Sequence, residues 1–146
     1  MISYKNRWNL NRGYMNLDVW EKAMTLFKIV WETTHGDVKI DIKLRSQVID
    51  SAQSVASNIA EGYSRRSINE YIRFTYIALS SLSETLTRVI GLMKTDQISD
   101  KQFNEIDKLH FEVENKLLKL IQSLEKKRDD SDWIDRIHDK LEEFNP

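Results

Sequence analysis

From Asp18 onward the apolar residues of this chain return every three or four positions, and before it they do not. Val19, Trp20, Ala23, Met24, Phe27, Val30 and Trp31 predict a first helix that starts near Asp18 and ends by Gly36. Asp18 is placed to accept from early backbone N–H groups, with Glu21 answering three residues later. At about 100° per residue this stripe covers roughly 160°, wider than one core requires. Ile29 lies outside it.

A second helix is predicted from Asp41 or Ile42 to Glu61, with Leu44, Val48, Ala52, Val55 and Ile59 inward and Gly62 taking a left-handed C-terminal cap. Its small residues Ser51, Ser54, Ala56 and Ser57 leave room for a close neighbour. The third helix opens on a Ser67 and Glu70 capping box and carries Tyr71, Ile72, Thr75, Ala78, Leu79, Leu82, Leu86, Val89, Ile90 and Met93 on one stripe. It is the longest, about 40 Å at ~1.5 Å per residue. The fourth starts with Ser99 as cap, Gln102 answering and Ile98 stapling onto Phe103. Its seam of Phe103, Ile106, His110, Val113, Leu117, Leu120 or Ile121, and Leu124 alternates three and four residues, as shallow-angle helix packing requires. Lys126, Lys127 and Arg128 close it.

A short fifth helix follows in the pattern, with Trp133, Ile134, Ile137, Leu141 and Phe144 on one face. The chain therefore divides into a flexible polar N-terminal tail (1–16), a bundle (17–128) and an acidic amphipathic C-terminal helix (129–146). Four helices joined by short loops predict an all-α, antiparallel up-down-up-down four-helix bundle with a short extra C-terminal helix.

Composition narrows the class. Four glycines and one proline leave too little turn chemistry for an all-β fold, and 146 residues suffice for one core without staples. The absence of cysteine excludes disulfides, thiolate metal sites and thiol nucleophiles. No run reaches the ~18 apolar residues of a membrane span, and Met1 to Met15 lacks the apolar core of a signal peptide. A cytoplasmic protein with no membrane partner is expected.

Charge adds a direction. Residues 1–128 sum to +4 and residues 129–146 to −5. The up-down topology gathers at one end the N-terminal segment with Lys5, Arg7 and Arg12, the second turn with Arg65 and Arg66, and the fourth helix's Lys126, Lys127 and Arg128. Tyr4, Trp8, Tyr14 and Tyr63 are interleaved with them. Cations with aromatic faces hold a phosphate backbone and stack on unpaired bases, so these eight cations are the candidate contacts for RNA or DNA. Equally, cations at a helix C-terminus complement the macrodipole in any protein. The acidic segment begins where the cations end, which suggests that it screens them or engages a neighbour's.

Self-association is expected from apolar residues off the inward stripes, and from the first helix, whose stripe is wider than one core requires. Phe74, Ile77 and Leu92 on the third helix, Phe111 and Leu118 on the fourth, and Trp20, Ile29 and Trp31 on the first make up the candidate oligomer interface. The same strips offer an alternative: a scaffold that binds a protein partner and no nucleic acid.

Catalysis finds no support. Each histidine follows a carboxylate by three residues (Glu32 and His35, Asp107 and His110, Asp135 and His138), a spacing that di-metal bundles use. His35 ends its helix while His110 lies about 16 Å inside another, at ~1.5 Å per residue, so they cannot share a metal. His110 reads as a hydrogen-bonded interior histidine. Glu61 with Arg65 and Glu84 with Arg88 read as local pairs, and Asn58 as a partner for backbone groups. There is no glycine-rich phosphate loop. No enzyme activity, cofactor, metal or small-molecule substrate is expected.

Leu17-Asp18-Val19-Trp20-Glu21-Lys22-Ala23, Leu44-Arg45-Ser46-Gln47-Val48, Ser57-Asn58-Ile59-Ala60-Glu61-Gly62 with Arg65 and Ser67, and Ala78-Leu79-Ser80-Ser81-Leu82-Ser83-Glu84 together resemble the four-helix-bundle family of 23S rRNA intervening-sequence proteins. That family is similar in fold to the accessory variability protein of diversity-generating retroelements. The resemblance spans about residues 17 to 125. It implies a small bacterial protein, a homopentamer of four-helix bundles, suspected of binding RNA or DNA. The chain departs from the family's pattern at Ile49-Asp50-Ser51-Ala52, where two arginines and an alanine are common. A second departure is the first loop, His35-Gly36-Asp37-Val38-Lys39, which lacks the usual Phe-Pro.

Overall fold

The computed structural model describes residues 3–36 and 39–133. Two short 3-10 helices, Tyr4–Asn6 and Leu10–Asn16, precede α1 (Asp18–Thr34), α2 (Ile42–Ser64), α3 (Ile68–Lys94) and α4 (Asp100–Asp129). Each long helix packs on the next and α1 also packs on α4, which closes the four antiparallel rods around one core. There is no strand among the described residues. The expected fifth helix falls on residues outside those described, apart from Trp133.

The core is built where the periodicity is strictest. Val48, Ala52, Val55 and Ile59 of α2 and Ile106, His110, Val113, Leu117 and Ile121 of α4 are all buried. Leu26 of α1, absent from the predicted stripe, is fully buried, while Met24 and Trp31 from that stripe are exposed. Leu44 too is exposed at the start of α2. The Ser99 and Gln102 capping box forms in full at α4. At α1 the cap is Leu17 with no side-chain bond, and Asp18 instead pairs with Lys116 of α4 at 2.5 Å.

Small polar residues make the α2–α3 seam, as their size predicted. The Ser54 and Ser81 hydroxyls lie 2.9 Å apart, and Thr85 Oγ1 stands 3.1 Å from Ser51 Oγ. Asn58 donates back into its own helix, to the Ser54 carbonyl at 2.7 Å.

Gly62 does not cap α2. The helix runs on to Ser64, no glycine has positive φ among the described residues, and Arg66 takes the left-handed position with φ of 61°. Gly62 serves instead by having no side chain, because a Cβ there would meet Phe74.

That close approach corrects the outer-face assignment of Phe74, and two further residues of the same set are also covered. Phe74 is 7% exposed, pressed into the α2–α3 seam. Leu92 is 2% exposed under the α3–α4 turn, where Gln97 donates its backbone N–H to the Leu92 carbonyl at 2.9 Å. Trp20 is 8% exposed, covered by Tyr4 and Tyr14 from the N-terminal segment. Ile29 and Ile77 are half-buried. Trp31, Phe111 and Leu118 remain exposed, Phe111 most of all at 62%.

Candidate nucleic-acid interface

The chain direction brings the start of α1, the α2–α3 turn and the end of α4 to one pole. Specific bonds then tie them together. The Leu10 carbonyl accepts from Tyr63 Oη at 3.3 Å and from Arg66 Nη2 at 2.8 Å, so the N-terminal segment is docked on the turn and is not a free tail. On the other side, Trp133 Nε1 donates to the Arg66 carbonyl at 3.3 Å, and its ring meets Tyr71 edge-on at 6.0 Å. Arg66 is thus the junction of three segments, and its backbone conformation follows from that work. Only residues 65–67 separate α2 from α3, and a left-handed residue turns the chain into the Ser67 cap. Its guanidinium lies over the Tyr63 ring at 4.7 Å, and its Nε is buried without a hydrogen-bond partner.

The eight predicted cations divide unequally. Lys5 pairs with Glu21 on the flank of α1, which raises its pKa above the ordinary lysine value through that hydrogen bond. Glu21 stands in the first turn of α1, so this charge is taken up by an ion pair there. Arg65 pairs with Glu61 at 3.1 Å and covers the Phe74 ring, and Arg128 pairs with Asp129 at 3.2 Å. Arg12 donates to the Arg7 carbonyl at 2.8 Å, and the Lys127 ammonium lies 5.9 Å from the Trp133 ring. Among the described residues, no ion pair engages Arg7, Arg12, Arg66, Lys126 or Lys127.

The aromatics expected to offer stacking faces are partly spent on each other. Tyr14 sits edge-on between Trp20 at 5.4 Å and Tyr63 at 6.1 Å, and Tyr63 continues the chain to Tyr71 at 5.9 Å. Burial pushes the Tyr71 phenol well above the usual tyrosine range, with Tyr63 adding to the shift. Tyr4 and Trp8 keep exposed ring surface. Sequence reasoning missed Leu10 and Trp133 as pole residues. Their roles come from a backbone carbonyl and an indole N–H, which no periodicity announces.

Elsewhere the polar groups are committed to structure. His110, buried in α4, bonds through Nε2 to the Leu82 carbonyl at 2.7 Å, as an interior histidine should. Arg88 bonds to Glu84 and, across the α2–α3 seam, to Gln47. Thr34 Oγ1 lies 3.4 Å from His35 Nδ1, but that nitrogen is 2.9 Å from the Trp31 carbonyl and must carry a proton to bond there, so it cannot act as a base. Among the described residues no three His, Cys, Asp or Glu side chains gather as a metal site requires. No described helix is long and apolar enough to cross a membrane.

The family model described as 23S rRNA-intervening sequence protein matches residues 15–119 of this chain. Among solved structures, a protein of unknown function from the S23 ribosomal protein family of Bacteroides thetaiotaomicron superposes with a TM-score of 0.65 at 24% identity, covering 71% of this chain and 95% of that one. At that identity the likeness bears on fold alone. No curated protein matches the chain.

Proposed function

The chain belongs to the 23S rRNA-intervening sequence protein family, and from that premise we propose that it is a non-enzymatic, self-assembling bundle that binds the backbone of RNA or DNA at its basic pole. One observation supports the reading: Arg66 ties the N-terminal segment to the α2–α3 turn and to Trp133, and those stretches carry Arg12, Arg65 and, just before Trp133, Lys126 and Lys127. Phosphate neutralisation by such cations is sequence-independent and salt-sensitive. Single contacts of this kind are weak. In a homo-oligomer, a pentamer by the family's pattern, each subunit repeats the pole and the contacts add through effective concentration. The cytoplasm is the proposed place of action.

The test is fluorescence anisotropy with a single-stranded RNA and a duplex DNA, from about 50 to about 200 mM salt. The variant carries Arg12→Ala, Lys126→Ala and Lys127→Ala, none of which has a carboxylate partner among the described residues. Its log–log salt slope on duplex DNA should be shallower by about 0.9 for each phosphate it no longer neutralises. An unchanged slope removes these residues from the interface.

A second reading has its own observation. Phe111 and Leu118 form an exposed apolar strip on α4, and an apolar cavity of about 680 Å³ lies on α1 between Tyr4, Met24, Phe27 and Trp31. Such surfaces suit a protein partner. Sedimentation of the native chain and of Phe111→Ser with Leu118→Ser separates the uses: loss of the native oligomer assigns the strip to self-association, and an unchanged mass leaves it to a scaffold.

A further inference from the structure

We propose that the N-terminal segment forms a subsite for an unpaired nucleotide, with the phosphate between Arg7 and Arg12 and the base on the ring of Tyr4. Its supply by a strand rests on the reading of the basic pole, while the subsite is a feature of the segment itself. A cavity of about 500 Å³ opens there, lined by Ser3, Tyr4, Asn6, Arg7, Arg12 and Met15. Small-ligand sites measure about 300–1,000 Å³, so there is room for a ring beside an anion. No acidic side chain lines the cavity among the described residues, and neither arginine has a carboxylate partner among them. Arg12 donates from Nη1 to the Arg7 carbonyl at 2.8 Å, which holds its guanidinium in place ahead of any ligand. Ser3 Oγ accepts from the Lys5 N–H at 3.3 Å, a bond that leaves the hydroxyl proton for a further acceptor. Two planar guanidinium forks suit the oxygens of a phosphate.

Tyr4 selects what the phosphate is attached to. Its ring meets Trp20 nearly at right angles at 6.0 Å and is 54% exposed, so ring surface remains for stacking. The same ring borders the apolar cavity of Met24, Phe27 and Trp31. Tyr4 therefore divides a cationic wall from an apolar one, an arrangement that fits a ligand with an anionic end and a flat apolar end. A base stacked inside a duplex cannot present its face to such a ring, so the nucleotide is an unpaired one. The segment is fixed in advance by the Lys5 and Glu21 ion pair and by the bonds from Tyr63 and Arg66 to the Leu10 carbonyl, which spares binding the cost of ordering it.

The experiment uses the full native chain and four variants of it: Tyr4→Ala, Tyr4→Phe, Arg7→Gln with Arg12→Gln, and Lys126→Gln with Lys127→Gln. Anisotropy is read with a single-stranded RNA and with the same sequence as a duplex, and equilibrium dialysis with AMP, alone and against inorganic phosphate. Tyr4→Ala should weaken the single strand and AMP at least about fivefold, the loss of one base stack, and the duplex less than about twofold. Tyr4→Phe should keep native affinity. The double arginine change should weaken AMP at least about tenfold. Because Tyr4 also covers Trp20, the base half is read on the native chain too, where inorganic phosphate should displace AMP only at concentrations at least about fivefold above those at which unlabelled AMP does. Phosphate as potent as AMP, an equal Tyr4→Ala loss on strand and duplex, AMP binding that survives the arginine change, or a native chain that binds neither strand nor AMP overturns the subsite. A strand held at least about tenfold tighter than AMP assigns the nucleotide to a strand, and equal affinity assigns it to the free molecule. If the lysine change leaves the salt slope on duplex unaltered while the Tyr4 and arginine effects stand, the pole reading fails and the subsite remains; the opposite pattern removes the subsite and keeps the pole.

Discussion

A β-carbon added at Gly62 would stand 2.7 Å from the β-carbon of Phe74, closer than such atoms approach. The obstacle is anchored to the α3 backbone, so no rotamer change removes it. Tyr71, one turn earlier on α3, crowds the same space, with Cδ1 and its carbonyl oxygen each 3.3 Å away. Two effects oppose one another in Gly62→Ala: helix propensity favours alanine by about 1 kcal/mol, whereas forcing a methyl into a filled contact costs about 1–3 kcal/mol. The clash should win, since relief requires α2 and α3 to separate. The urea midpoint of Gly62→Ala should fall; a midpoint at or above native would show that the seam is looser than its geometry.

The same seam makes a second prediction through Thr85 and Ser51. Thr85 Oγ1 lies 2.7 Å from the Ser81 carbonyl and 3.1 Å from Ser51 Oγ, while Ser51 Oγ donates to the Val48 carbonyl at 3.0 Å. The two buried hydroxyl protons are shared among these approaches, so each group depends on the other. Thr85→Val should cost about 1 kcal/mol, because it leaves Ser51 with one partner fewer. The double change with Ser51→Ala should cost less than the two single changes together, by at least about 0.5 kcal/mol. Strict additivity in the urea-denaturation cycle would mean that the hydroxyls act independently.

What the sequence could reveal followed a single physical rule, that a helix buries one arc of its surface. Val48, Ala52, Val55 and Ile59 obey it on α2, and Ile106, Val113 and Leu117 on α4, each set buried at three- and four-residue spacing. Phe74 escapes it, since removal of one side chain at Gly62 draws α2 inward and widens the arc that α3 buries. Trp20 follows its stripe, but its assignment to an interface failed because its cover, Tyr4 and Tyr14, comes from a segment without period. Chain order sufficed to bring Arg12, Arg66 and Lys127 toward one pole, for that follows from helix direction. The i, i+4 spacing also announced that Glu61 takes Arg65, but nothing showed that Glu21 takes Lys5 or that Asp129 takes Arg128. Those last two pairings are matters of side-chain reach.

The end of α3 offers a stabilising change. Asp96 is left-handed, with φ of 58°, where its N–H bonds to the Met93 carbonyl at 3.0 Å and the Gln97 N–H to the Leu92 carbonyl at 2.9 Å. This is the position glycine fills best, and an L-residue with a β-carbon costs about 1–2 kcal/mol there, less for aspartate. Asp96→Gly should therefore raise the melting temperature slightly, by about 0.5 kcal/mol of stability after its larger loss of chain entropy. Asp96→Ala should lower it. Equal melting temperatures for the two variants would show that the turn is not held in the left-handed conformation in solution.

Alkaline pH should weaken the fold through Tyr71. Burial raises the phenol's pKa above the ordinary tyrosine value, reinforced by Tyr63 and opposed by Arg66. The raised value means that the folded state holds its proton where the unfolded chain has lost it. The stability this group contributes is intact below about pH 10, the ordinary tyrosine value, and falls as pH climbs from there toward the folded value. The limiting slope is about 1.4 kcal/mol per pH unit for one such group. Tyr71→Phe cannot ionise and should lose less stability than native between about pH 8 and about pH 11, whatever the other tyrosines contribute, since their effect is common to both proteins. Urea midpoints at the two pH values decide the matter: parallel losses in native and Tyr71→Phe would place the Tyr71 hydroxyl in water and undo the account of Trp133 and Tyr63 closing over it.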